Sequence, residues 1–168
     1  MVRGSAFGWA THFFMFKGYD MIKTVTFCGH RELSAEEKEI LRKQLYSEIE
    51  RLILNGAEEF LLGGYGDFDI LSATVVRELK KKYPHIRSVL VMAYLHQKYH
   101  ETLYDETEYP PLETVPKPFA ILKRNEYMVN KADAVISYVI FSFGGASKTL
   151  EYARKKQKTV ILCNIKRN

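Results

Sequence analysis

Apolar residues recur along this chain in two alternating rhythms, one short and continuous, the other helical. Residues 23–28 form a short β-rich run that stops at Gly29. Residues 34–55 then carry Ile40, Leu41, Leu45, Ile49, Leu52 and Ile53 at a spacing that predicts one apolar helix face. Ser34 with Glu37 after it is a capping box, and Asn55-Gly56 is a stop signal. A strand is expected at 59–62, running into GGYGDFD. A second helix follows over 70–83, with Ile70, Leu71, Val75, Val76 and Leu79 inward and Pro84 closing it. Residues 87–93, RSVLVMA, read as a third strand. The pattern then lapses over 94–119, a stretch rich in Tyr, His and Pro. A loop of that length in a compact domain is usually functional, often a lid. Helix and strand resume at 120–131, 133–138, 147–157 and 159–163.

Strands alternating with helices at this spacing mean βαβ units and a mainly parallel sheet. Right-handed crossovers with helices on both faces predict an α/β Rossmann-like three-layer α/β/α sandwich. The expected sheet has five strands in the order 3-2-1-4-5. Ligands in such sheets bind outside the carboxyl ends of the strands, where the winding direction switches. That point joins Gly29-His30-Arg31 to the Gly144-Gly145 loop, two stretches far apart in the chain.

Residues 1–20 show neither rhythm, and Met21 directly precedes the first strand. Their apolar stretch is broken by His12 and Lys17 and lacks a small-residue cleavage site, so it is a poor signal peptide. The expectation is a leader or upstream extension, poorly ordered, ahead of a single domain over 21–168. An aromatic arm that packs on a neighbour is the alternative, and self-association into a homo-oligomer stays open. The 168 residues are 46% hydrophobic, which suffices for one full core. The net charge of +5 is scattered, its densest clusters falling late in predicted helices, where cations complement the dipole. This argues against a nucleic-acid stripe. Cys28 and Cys163 each end a predicted strand and read as apolar fillers in a reducing, cytoplasmic setting. No Cys and His spacing suggests a metal, no cofactor is expected, and no apolar run approaches a membrane span.

Chemistry concentrates at the strand ends. SFGGASKTLEYA places Gly144, Gly145 and Ala146 before a helix bearing Ser147, Lys148 and Thr149 in its first turn. Glycines let backbone amides approach a ligand, and free amides at a helix start bind anions. A glycine turn with a Ser cap is an equally good reading of that stretch alone. LGGYGDFD, with Gly63, Gly64, Tyr65 and Gly66, is a second glycine-rich turn. Asp67 and Asp69 there would repel a phosphate, so capping suits Asp67 and ribose hydroxyls suit Asp69. Arg31 offers a planar fork to a phosphate or carboxylate, with His30 beside it. Arg124 and Asn125 lie on the helix leading into the fourth predicted strand and could face the same crevice.

TFCGHREL, LLGGYGDFDILSA, RNEYMVNKADAVI and GGASKTLEYA, in this order, resemble the YpsA-like branch of the SLOG superfamily. The likeness spans residues 22–163. That superfamily includes DprA DNA-processing proteins, LOG phosphoribohydrolases and nucleotide-sensing domains. The resemblance implies a Rossmann-like fold and a pocket for a nucleotide or an NAD- or ADP-ribose-derived ligand. It puts Arg124-Asn125 and the Gly144-Gly145 loop at the ligand. The LOG enzymes use an arginine with a glutamate that follows a proline-glycine-glycine loop. Here FGGASKTLE lacks the proline and reaches its threonine one residue later, so Glu151 matches that glutamate loosely and Arg124 matches the arginine better. The leading expectation is a cytoplasmic protein that binds a nucleotide-derived small molecule. The second is an N-glycosidic hydrolase using Arg124 with Glu151 or Asp69. The third, less favoured, is DprA-like binding of single-stranded DNA.

Overall fold

The computed structural model describes residues 21–165. The expected leader over 1–20 lies outside the described residues. Strands β1 (Thr24–Gly29), β2 (Glu59–Leu62), β3 (Arg87–Val91), β4 (Glu106–Glu108), β5 (Ala134–Tyr138) and β6 (Thr159–Leu162) form one sheet. Its order is β4-β3-β2-β1-β5-β6, and every pairing is parallel. Helices α1 (Ala35–Leu54) and α2 (Asp67–Lys82) pack together, as do α3 (Ala120–Lys131) and α4 (Gly145–Lys155). The three-layer α/β/α architecture stands as expected.

The sheet has six strands where the sequence pattern predicted five. The addition, β4, falls inside the stretch read as irregular. Its residues, ETE, are polar and carry no apolar alternation, as suits a short edge strand. Side chains hold it in place: Asp105 accepts from the Ser88 amide at 2.8 Å, and Lys131 pairs with Glu108 at 2.7 Å.

Alternation along the strands divides the core. Val25, Phe27, Phe60 and Leu62 face α1 and α2 with Leu41, Leu45, Phe68 and Leu79. Cys28 and Val135 face the other way with Val129 and Leu150, and Leu61 and Val89 with Met128. The capping box of α1 is complete: Ser34 Oγ accepts from the Glu37 amide, and Glu37 accepts from the Ser34 amide. Helix α2 begins at Asp67, earlier than its apolar spacing suggested. Phe68 therefore enters the core and Ile70 turns outward.

The last residue of β1, Gly29, has no room for a side chain: a Cβ would lie 2.3 Å from the Phe68 ring. Gly66, at φ +84°, lets the β2–α2 turn pass the Arg31 backbone, which a Cβ would meet at 2.8 Å. The two strand-to-helix turns thus interlock, and Asp67 donates its amide to Arg31 O at 2.7 Å.

Two substitutions separate capping from packing. Ser34→Ala should lower unfolding free energy by ~1 kcal/mol. Gly29→Ala should lower it further, by about 1–3 kcal/mol, through overpacking against Phe68. Urea unfolding midpoints of the two variants check this order.

Candidate functional site

The crevice at the carboxyl edge opens between β1 and β5, where the chain winds away in opposite directions. It is a cleft of about 370 Å³. Of the residues expected there, Gly29, His30, Arg31, Gly63, Tyr65, Asp69, Arg124, Asn125, Gly144, Gly145, Ala146 and Thr149 line it. Gly64, Gly66, Ser147, Lys148 and Glu151 do not. Ser147 is buried, and Lys148 and Glu151 are exposed on α4.

Arg124 is buried, 2% exposed, and points into the protein. Its guanidinium donates to Gly63 O at 2.6 Å and to Val91 O at 2.7 Å, and lies over the Tyr65 ring. Two strand ends, β2 and β3, are thereby fixed to α3. The other side of the Gly63 peptide belongs to Asp69, which accepts from the Gly63 amide at 3.1 Å and the Gly64 amide at 2.5 Å. Burial pushes the Asp69 carboxyl up, against the opposing pull of those amides and of Arg124. Burial likewise pulls the Arg124 guanidinium down, and Asp69 opposes it. Asp69 is the carboxylate of the cleft. Glu151, the LOG-type candidate, is not brought together with Arg124 there.

Asn125 reaches the opposite wall. Its Nδ2 donates to Thr149 Oγ1 at 3.1 Å, and Thr149 Oγ1 donates to Gly145 O at 2.8 Å. The glycine loop is therefore indexed to the same helix that carries Arg124. The start of α4 has no side-chain cap and no acidic residue in its first turn. By contrast α1 is fully capped, and α2 opens with two carboxylates. A Cβ at Gly144 or at Gly145 would meet nothing within 4 Å. Gly144 needs glycine for its φ of +93°, but Gly145 does not, and no internal packing demands its missing side chain. Open space above bare amides is what an anion needs.

Arg31 is exposed at the rim. His30 Nε2 accepts from the Ile140 amide at 2.8 Å and ties the β5–α4 loop to the end of β1. Asp67 does not cap its own helix. Its carboxylate accepts from the Leu33 amide at 3.0 Å and pairs with Lys38 at 2.9 Å, which hold it below the usual range. Residues that the sequence reading passed over also line the cleft, notably Phe141 and Phe143. The signal was the apolar IFSF before the glycines, where a polar loop is normal. Cys28 lines the cleft too, but burial pushes its thiol up to about 11, which leaves it a poor nucleophile. Among the described residues no three of His, Cys, Asp and Glu converge to hold a metal ion. Among them no helix is long and apolar enough to cross a membrane.

Comparison with known proteins gives three findings. The family model YpsA, described as the YspA SLOG family, matches residues 15–161. UPF0398 protein BH1768 of Halalkalibacterium halodurans is 31% identical over 134 residues, covering 70% of this chain and 69% of that protein. Among solved structures, the fold is similar to DNA processing protein A of Helicobacter pylori, described with a single-stranded DNA binding mode. The TM-score is 0.62 at 18% identity, covering 88% of this chain and 68% of that one. It is also similar to TM1055, with a TM-score of 0.58 at 17% identity, covering 83% and 72%.

The Arg124 clamp predicts a steep cost on removal. Arg124→Met should destabilise the protein by about 3–5 kcal/mol, because Val91 O loses its side-chain donor, Gly63 O keeps only Gln97, and buried Asp69 loses the nearby positive charge. Adding Asp69→Asn should recover part of that loss. Arg124→Lys should remain well below wild type, since a single ammonium nitrogen cannot stand both where Nη1 meets the two carbonyls and where Nε meets Asn125 Oδ1. Denaturant unfolding of the single and double variants measures the coupling.

Proposed function

This chain belongs to the YspA SLOG family, and on that premise we propose that it binds a phosphorylated, nucleotide-derived small molecule in the cleft between β1 and β5. The observation that carries the reading is Gly145. It stands at an uncapped helix start, in ordinary helical backbone, with nothing within 4 Å of where its Cβ would be. A phosphate fits that space, held by the first-turn amides of α4 and by the helix dipole. Arg31 at the rim neutralises it with a planar fork. Asp69, engaged with the Gly63, Gly64 and Tyr65 amides, keeps a lone pair for a ribose hydroxyl.

A second reading has a specific observation behind it. Asp69 is a carboxyl whose proton affinity burial raises, and it lines the same cleft as the glycine loop. Such a group can protonate a departing base or activate water, so N-glycosidic hydrolysis is the enzymatic alternative. Chromatographic detection of free base from nucleoside monophosphates separates turnover from binding alone. DNA binding, as described for the Helicobacter pylori protein, predicts a steep salt dependence for single strands instead.

Calorimetric titration with AMP and ADP-ribose tests the main reading. Gly145→Asp should abolish binding, because the carboxylate fills the space and repels the anion. Its melting temperature should stay within about 2 °C of wild type, since the position is open. Arg31→Ala should weaken binding by about 1.5–3 kcal/mol at little cost in stability. Unchanged affinity in Gly145→Asp removes the loop from the site.

A further inference from the structure

The loop between β5 and α4 exposes large apolar side chains beside the glycines: Phe141 is 47% exposed and Phe143 72% exposed. Neither contributes to the core, and both line the cleft. They are nonetheless in contact with each other and with the fold. The two rings stack with centroids 5.4 Å apart and planes at 25°. Phe141 rests on His30 at 5.0 Å, and His30 meets the edge of Tyr138 at 5.7 Å. Tyr138 is fully buried. An aromatic ladder thus climbs from the core to solvent and ends one residue before Gly144. The hydrogen bond from the Ile140 amide to His30 fixes its middle rung.

We infer that Phe143, backed by Phe141, is the stacking platform for the nucleobase of the ligand. This inference rests on the phosphate reading above. The platform and the bare amides of α4 are adjacent in the chain and line one cavity, so a single molecule can use both. A phosphate alone has no use for an exposed aromatic pair, whereas every nucleobase has a π-face to lay on it. The Phe141 ring and His30 back the Phe143 ring from one side and leave its other side to solvent, where a base can lie. The cleft therefore selects nucleotides over sugar phosphates, and it does so by stacking, which tolerates any base.

The test compares AMP, ribose 5-phosphate and inorganic phosphate by calorimetry. Wild type should bind AMP at least about tenfold more tightly than ribose 5-phosphate, the usual worth of one stacked base. Phe143→Ala should collapse that gap while leaving ribose 5-phosphate affinity unchanged. Phe143→Trp should preserve it, and exchanging AMP for other nucleoside monophosphates should matter less than removing the base. Equal binding of AMP and ribose 5-phosphate by wild type overturns the inference while leaving the phosphate site standing. So does a gap that survives Phe143→Ala. If Phe143→Ala instead breaks up an oligomer in light scattering with the gap intact, the rings are a protein interface and the inference fails. Absence of binding by all three compounds overturns the phosphate reading and this inference with it.

Discussion

The backbone of Gly63, directly after β2, is held by three largely buried side chains at once. Arg124 and Gln97 both donate to its carbonyl, at 2.6 and 2.9 Å, while Asp69 accepts from its amide. The arrangement leaves no room for a side chain: a Cβ on Gly63 would lie 2.5 Å from the Arg124 guanidinium. A buried cation needs acceptors, and here two carbonyls accept from Nη1 and Asn125 Oδ1 accepts from Nε. Much of the site's geometry follows from this clamp. Arg124 fixes α3 against the ends of β2 and β3. Asn125, next in the chain, then reaches Thr149 and through it the Gly145 carbonyl. Gln97 fastens the start of the long 94–119 connection to the same point, its Oε1 accepting from the Ala93 amide.

The clamp also explains why two glycine-rich turns in one fold behave differently. The turn after β2 is filled from within. Gly63 faces Arg124, Gly64 faces Gln97 and Leu90, and Gly66 faces Arg31. Its amides at 63 and 64 are spent on Asp69. The turn after β5 has no such company, and the helix it opens has no acidic residue in its first turn. Two turns of similar composition thus divide the work. One closes the scaffold, and the other leaves space and uncompensated amides where charge can be received.

Much of this was legible in the sequence, and the failures have physical causes. The alternation of buried runs with helical faces specified a parallel sandwich, because each βαβ unit has one way to close. The Ser34 cap was readable since its partner Glu37 lies in the same turn. Strand β4 was not, because an edge strand of ETE is held by partners distant in sequence, Ser88 and Lys131. Arg124 was read as a crevice arginine, and it does line the cleft. Its inward hydrogen bonds could not be seen, for carbonyls leave no trace in the sequence. Ile70 was assigned to the core because its spacing fits a helix starting three residues later. The carboxylates Asp67 and Asp69 were the better guide to where α2 begins.

Exposed aromatic rings carry a cost in solvent, and this fold carries Phe141 and Phe143 at the mouth of its cleft. The core does not need them. Tyr138, Phe68 and Phe60 already fill it, and the Tyr138 hydroxyl is satisfied by Glu37 at 2.8 Å. A sequence free to vary under stability alone would place polar residues in that loop. Local rules broken without a structural return mark the places where a protein spends stability on something else. Here the breach adjoins the uncapped start of α4 and shares a cavity with it. Two departures from foldability, one apolar and one electrostatic, meet on the same few residues, and the ligand proposed above, with a flat ring and an anionic group, would relieve both.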